Sequence, residues 1–185
     1  MKTTREQIIH ASTRLFRRRG YYRTSMKDLT AELQMTKGAF YYHFKDKADL
    51  MHACLEAVKE LADRRVFSVA ANQDAPLEER VAVMASGLRR LFAYQAGGCF
   101  IANTALETAQ VEKTFLEPIR AFMELWRKSL EQLLKDAGYP AKDWEERSGM
   151  LVADLEGSIV LMQVYGDEAY LEKAICRMEK TFQRS

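Results

Sequence analysis

Apolar residues recur along this chain at the three- and four-residue spacing of helices, with no convincing alternation of the strand kind. The first helix is expected from about Thr3, whose spacing to Glu6 is that of a capping box, to the basic end at Arg19, where Gly20 stops it. Ser25 reads as the N-cap of a short second helix carrying Met26, Leu29 and Leu33, with Asp28 at the third helical position. Thr36 offers the N-cap of a third, on which Phe40 and Phe44 fall four apart and turn one face inward. A fourth begins near Asp46 and continues through Leu50, Cys54, Ala57, Val58 and Leu61 towards Val69.

Punctuation organises the rest. NQDAP reads as a linker, Pro76 starts a fifth helix that ends at the Gly97-Gly98 pair, and Cys99 to about Gln110 forms a sixth. Phe115, Ile119, Phe122, Met123, Trp126, Leu130, Leu133 and Leu134 trace one stripe of a seventh, closed by Gly138 and Pro140. Asp143 and Glu146 repeat the capping spacing before an eighth helix over Trp144 to Tyr165, in which Gly149, Ala153 and Gly157 leave a smooth side. The ninth follows Gly166 and Asp167, with Leu171, Ala174, Ile175, Met178 and Phe182 as its stripe.

Two short helices in close succession, followed by a basic and aromatic stretch, are the sequence form of a helix-turn-helix, whose second helix lies in the major groove. The outward face of the third helix presents Lys37, Gly38, Ala39, Tyr41, Tyr42 and His43. Small residues at 38 and 39 allow close approach to base edges, to which Lys37 can donate. Tyr41, His43 and Lys47 suit phosphate oxygens, and Lys27 is placed to add a base contact. Ser25, Met26 and Thr36, at the starts of the two helices, complete the expected DNA-facing set.

Charge sharpens this picture. The chain has a net charge of only +2 over 185 residues, but residues 1 to 50 carry 11 Lys or Arg against 5 Asp or Glu, and the remainder 17 against 21. A basic head on a mildly acidic body fits a protein of which only the head meets phosphate. A cluster such as Arg17, Arg18 and Arg19 alone would read as a solvated face.

The spacing of Ile9, Ala11, Leu15, Phe16, Gly20, Tyr21, Thr24, Asp28, Lys37, Gly38, Tyr41, His43, Phe44, Lys47 and Leu50 resembles the N-terminal domain of TetR-family transcriptional regulators. The resemblance covers about residues 1 to 50; the remainder is similar to such regulators in architecture and in a looser GCFIAN and LEG pattern. Thr30 and Gln34 stand where the family usually has Ala and Gly, and a non-Gly residue at 34 carries a conformational cost if the turn needs positive φ.

The resemblance implies an all-α protein of about nine helices. Its domains are a helix-turn-helix DNA-binding domain over residues 1–46 and a helical effector-binding and dimerisation domain over 47–185. It implies a homodimer on a palindromic operator in double-stranded DNA, with Gly149, Ala153, Gly157, Leu171, Ile175 and Met178 at the interface; the alternative is that these residues pack inside one subunit. It also implies a cavity for a small effector, lined by Phe92, Phe100, Phe115, Phe122, Met123, Trp126, Met150 and Met162, although such stripes equally build plain core. Asn103, Thr104, Glu107 and Gln110 offer polar contacts there, Glu107 favouring a cation if buried and otherwise sitting in a surface ion pair. The function expected is a ligand-responsive regulator, a repressor released from its operator by effector.

Cys99, at a helix start beside two glycines, reads either as an electrophile or oxidant sensor or as a small buried apolar residue. The odd count of three cysteines, with no paired spacing, argues for a reducing compartment. The three histidines, His10, His43 and His52, have no metal-ligand spacing, so neither metal, cofactor nor enzymatic activity is expected. A helical adaptor without DNA binding is the remaining reading. A polar start and the lack of a long apolar run point to a cytoplasmic protein with no membrane segment.

Overall fold

Thr4 caps α1 (Arg5–Arg19): its hydroxyl accepts the Gln7 N–H at 3.2 Å while Gln7 Oε1 accepts the Thr4 N–H at 2.8 Å. The capping box therefore sits one residue later than Thr3 and Glu6, and Thr3 itself lies outside the described residues. The computed structural model describes residues 4–93 and 97–183, and among them the regular structure is helical throughout. The following helices are α2 (Met26–Glu32), α3 (Lys37–His43), α4 (Lys47–Ala62), α5 (Leu77–Leu91), α6 (Phe100–Thr108), α7 (Leu116–Asp136), α8 (Trp144–Tyr165) and α9 (Ala169–Phe182). After α4 the chain widens into a π turn at Asp63–Phe67 and then tightens into a 3-10 turn at Ser68–Ala71, which continues the apolar stripe expected towards Val69. The Asp143 and Glu146 box does not form; a 3-10 turn at Ala141–Asp143 leads into α8, and no side chain caps it.

Two compact units result, and their boundary differs from the one expected at residues 46 and 47. One unit comprises residues 1–59 together with 100–120; the other comprises 60–99 and 121–185. In the first, Ile8, Leu15, Phe16, Leu29, Phe40, Phe44, Leu50 and Cys54 form a core in which each is at most 2 % exposed. Burial pushes the Cys54 thiol up to about 12, so it behaves as an apolar residue. α6 packs against α1 inside this unit, Arg17 lying 5.8 Å from the Phe100 ring centroid.

The second unit is organised around Trp126. Its indole stacks against Phe67 (5.8 Å) and Phe92 (5.3 Å) and meets Phe122 edge-on (6.3 Å). α9 packs on α5 and α8 through Leu171, Ala174, Ile175, Met178 and Phe182, all buried, because an amphipathic helix with one apolar stripe must cover that stripe. Beneath α5, Arg80 donates to the Ala70 carbonyl at 2.8 Å and pairs with Asp136 at 2.6 Å.

Candidate nucleic-acid interface

The first unit contains two short capped helices joined by a four-residue turn, Leu33 to Thr36. Ser25 accepts the Asp28 N–H at 3.2 Å and Asp28 accepts the Ser25 N–H at 2.8 Å, the reciprocal pair expected from their spacing. Thr36 accepts the Ala39 N–H at 3.2 Å and so begins α3. Between them, Gln34 has φ +50, the left-handed conformation that a glycine would adopt more cheaply. Phe40 and Phe44 are buried, which fixes the opposite face of α3 outward.

That outward face carries Lys37, Gly38 and Ala39, all exposed, with Tyr41 52 % and Tyr42 85 % exposed; His43 is half-buried. A Cβ built on Gly38 would touch only the Thr36 hydroxyl, at 4.0 Å, so the first turn of α3 is open to a flat surface such as base edges. Lys27 is exposed and Met26 half-buried at the start of α2, while the Ser25 and Thr36 hydroxyls are engaged as caps. An exposed, largely unpaired Tyr42 is an unusual residue to leave in water unless it meets a partner.

Lys47 is placed differently from its expected role on phosphate. Its ammonium turns inward, donating to the carbonyls of Tyr21 (3.0 Å) and Thr24 (3.1 Å) and lying 4.1 Å from the centroid of the Tyr21 ring. Burial holds its pKa below the ordinary lysine value, with the Glu107 carboxylate offsetting part of that shift. The arginine cluster is likewise partly engaged: Arg18 lies 3.7 Å from Glu32 and Arg19 3.1 Å from Asp28, exposed pairs worth little to stability.

The residues expected around an effector divide between the units. Phe100, Asn103, Glu107 and Phe115 belong to the first, where Phe115 meets Tyr21 (5.1 Å) and His52 (5.0 Å) edge-on. Glu107 accepts the backbone N–H groups of Tyr21 and Tyr22 at 2.7 and 2.8 Å, so it is neither a surface ion pair nor a free counter-charge. Phe92, Phe122, Met123, Trp126, Met150 and Met162 belong to the second unit. Met150 is 64 % exposed and points away from its core, while the buried Trp126 indole N–H meets no acceptor among the described residues.

Sequence reasoning missed Glu156. Both of its carboxylate oxygens are sealed from solvent and, among the described residues, meet no nitrogen or hydroxyl donor; burial raises its pKa, and a hydrogen bond from the Cys99 thiol, a weak donor, offsets part of that. Its position one residue after the buried Leu155 was the available signal, because it puts Glu156 at the edge of the inward stripe of α8. Cys99 itself is 2 % exposed. A carboxylate neighbour is the opposite of the cationic setting that makes a cysteine nucleophilic.

The dimer candidates also separate. Leu171, Ile175 and Met178 are at most 3 % exposed within a single chain and are therefore internal packing. Gly149 and Gly157 have open space where a Cβ would stand, and Ala153 is exposed. Around them α8 exposes Met150, Val160 (50 %), Leu161 (41 %), Val164 (70 %) and Tyr165 (64 %), an apolar face that α9 leaves uncovered.

A capped helix pair presenting basic and aromatic residues on its second helix, attached to a helical body, defines a helix-turn-helix DNA-binding regulator. Comparison with known proteins agrees. Residues 8–54 match the family model of bacterial regulatory proteins of the tetR family, and residues 75–176 match that of the LmrA/YxaF-like transcriptional regulator C-terminal domain. The chain belongs to the TetR family of transcriptional regulators, and is not an enzyme. It is 27 % identical to the HTH-type transcriptional regulator LmrA of Bacillus subtilis over 85 % of each chain. It is 25 % identical to an HTH-type transcriptional regulator in the lacX 3′ region of Lactococcus lactis subsp. lactis, covering 100 % of this chain and 95 % of that one. A TetR transcriptional regulator from Legionella pneumophila has the same fold, with a TM-score of 0.88 over 99 % of both chains at 21 % identity. Among the described residues no helix is long and apolar enough to cross a membrane.

Proposed function

We propose that this protein is a ligand-responsive repressor that reads a palindromic operator as a homodimer and leaves it when a small molecule binds the C-terminal unit. The observation that carries the DNA-reading part is the outward face of α3, where Lys37, Gly38 and Ala39 present donors and clearance and Tyr41 and Tyr42 stand exposed beside them. Dimerisation is supported by the apolar face of α8 around Gly149, Ala153 and Gly157, since a stable interface needs roughly 800 Å² from each partner. A groove of about 410 Å³ between α8 and α9, lined by Ala153, Gly157, Leu161, Tyr170 and Arg177 among others, gives that face relief for a second copy. Two heads would then span half-sites about 34–36 Å apart or multiples of this.

Effector binding is supported by the Trp126 aromatic cluster and by Glu156, which takes the part that the sequence suggested for Glu107. A buried carboxylate with only a weak thiol donor beside it favours a ligand that brings a stronger one, and a cationic aromatic compound would supply both charge and ring surface. The mechanism is linkage: effector that binds better when the heads are held off register weakens operator binding by the same coupling energy, commonly ~1–3 kcal/mol. A thiolate sensor at Cys99 is the weaker reading, given its burial beside Glu156.

Selection of random duplex DNA by the purified protein tests this. An enriched palindrome whose affinity falls steeply with salt is the expected result, and adding effector should then lower that affinity. Undiminished affinity at saturating effector contradicts the release mechanism. Within the head, Lys37→Ala should relax preference at one base position by ~1–3 kcal/mol, whereas Tyr42→Ala should weaken all sequences about equally. Parallel losses from both, measured on the selected site and its single-base variants, would refute that division of roles.

A further inference from the structure

Over Gly20 to Thr24 the turn between α1 and α2 has few backbone bonds of its own: Gly20 N–H closes α1 on the Phe16 carbonyl at 2.7 Å, and the Thr24 N–H and hydroxyl reach back to Tyr21 and Gly20. It is held instead by two charged side chains. From one side, Glu107 of α6 spans successive backbone amides, Oε2 accepting from Tyr21 at 2.7 Å and Oε1 from Tyr22 at 2.8 Å. From the other, the Lys47 ammonium takes the carbonyls of Tyr21 and Thr24. Gly20 makes room for the carboxylate: its φ is +84, and a Cβ there would stand 2.8 and 2.9 Å from the two Glu107 oxygens.

This turn runs directly into Ser25, the cap that begins α2, and α2 in turn orients α3. Two adjacent amides fixed by one carboxylate define both the position and the tilt of the peptide planes entering that cap, which a single hydrogen bond could not do. Glu107 touches no part of the outward face of α3, and a negative charge in a basic head would by itself repel phosphate. Its presence there is accounted for by geometry, not by charge.

We propose that Glu107 is a positioning residue for operator reading, so that the DNA-reading head of this protein is completed by α6. The contact joins residues 86 apart in sequence, and it comes from a segment within residues 75–176, the span of the C-terminal family model. Operator affinity therefore depends on α6 remaining against the head. The inference rests on the reading of α3 as the DNA-contacting helix, and it requires no knowledge of the effector.

The experiment uses the full chain and its variants Glu107→Ala, Glu107→Gln and Glu107→Asp, on the operator obtained by selection. Because two charge-assisted hydrogen bonds are lost, Glu107→Ala should weaken operator binding roughly tenfold or more, with a salt slope close to that of the unaltered protein since no phosphate contact is removed. Glu107→Gln, which can accept only one of the two amides with a neutral oxygen, should fall between, despite having lost the same charge. A purely electrostatic role predicts the opposite sign, tighter binding by both neutral variants, and that result overturns the proposal. Amide hydrogen exchange at Tyr21 and Tyr22, measured without DNA, should accelerate in Glu107→Ala while amides in the α9 core keep their protection. Unchanged exchange at those two amides also overturns it, whether or not the fold is stable. If selection yields no operator, the regulatory reading fails on its own account and the exchange measurement still decides whether Glu107 holds the turn. Glu107→Asp should recover little, because its shorter arm cannot bridge both amides.

Discussion

Arg80→Ala is expected to cost about 3–5 kcal/mol of folding stability, because it strands a carboxylate in a place chosen for its partner. The Arg80 side chain is 5 % exposed and that of Asp136 16 %, and Asp136 also accepts Gln73 at 3.0 Å and Gln132 at 2.9 Å. Burial alone would raise the Asp136 pKa, but hydrogen bonds from Arg80, Gln73 and Gln132 outweigh it and leave the group below its ordinary value. A carboxyl depressed in the folded state contributes stability above its unfolded value of 3.8 and loses that contribution as pH falls through the lower folded value. Urea denaturation of Arg80→Ala at neutral pH measures the loss. Replacing both partners, Arg80→Met with Asp136→Leu, should recover most of it, and failure to do so would mean that the guanidinium bond to Ala70 O, at 2.8 Å, holds the turn after α4 more firmly than the ion pair does.

Glu156→Gln should act in the opposite direction, stabilising the chain by about 1–2 kcal/mol at pH 7 and above, since a neutral amide is cheaper to bury than a carboxylate with only a weak thiol donor beside it. For a chain of this size that corresponds to a rise in Tm of roughly 2–8 °C. The sign with pH follows from the raised pKa: the folded protein holds this proton more tightly, so the penalty is absent below the unfolded value of 4.5 and complete above the folded one. The advantage of the variant should therefore shrink as pH is lowered towards 4.5, and an advantage independent of pH would show that the carboxylate is not the source. A polar group kept at such a cost is a common mark of a binding site. The same variant is thus expected to lose response to a cationic aromatic effector while still binding its operator.

Much of the architecture was legible without coordinates. α8 begins and ends where its residues predict, the Ser25 and Asp28 box forms as spaced, and Gln34 takes the positive φ that its place in the turn suggested. The outward face of α3 was equally legible, because Phe40 and Phe44 bury one side of a two-turn helix and leave only one way out for Lys37, Ala39 and Tyr41. These features depend on contacts within a few residues, where capping and helical period act directly on sequence.

The fate of individual functional residues was less legible, and the failures share a cause. An apolar stripe on α9 and a small-residue face on α8 were both offered as dimer surface; α5 and α8 cover the first inside the chain, and only the second remains open. Periodicity shows that a face must be buried but not what buries it. Lys47 reads as a phosphate contact and Glu107 as an effector contact or a surface ion pair, yet the two converge on one turn.

Sequence by itself determined the helical elements, their caps, the helix-turn-helix and its basic balance, since each follows from local spacing and composition. Only the tertiary structure decided that α6 belongs with the helix-turn-helix head, that Glu107 is fully engaged by backbone amides while Glu156 is sealed with only the weak Cys99 thiol beside it, and which side of the last two helices stays exposed. Those outcomes rest on contacts between residues far apart along the chain, up to 86 positions for Glu107 and Tyr21, and the free energy of such a contact belongs to the pair and its burial, not to either residue's neighbours in sequence.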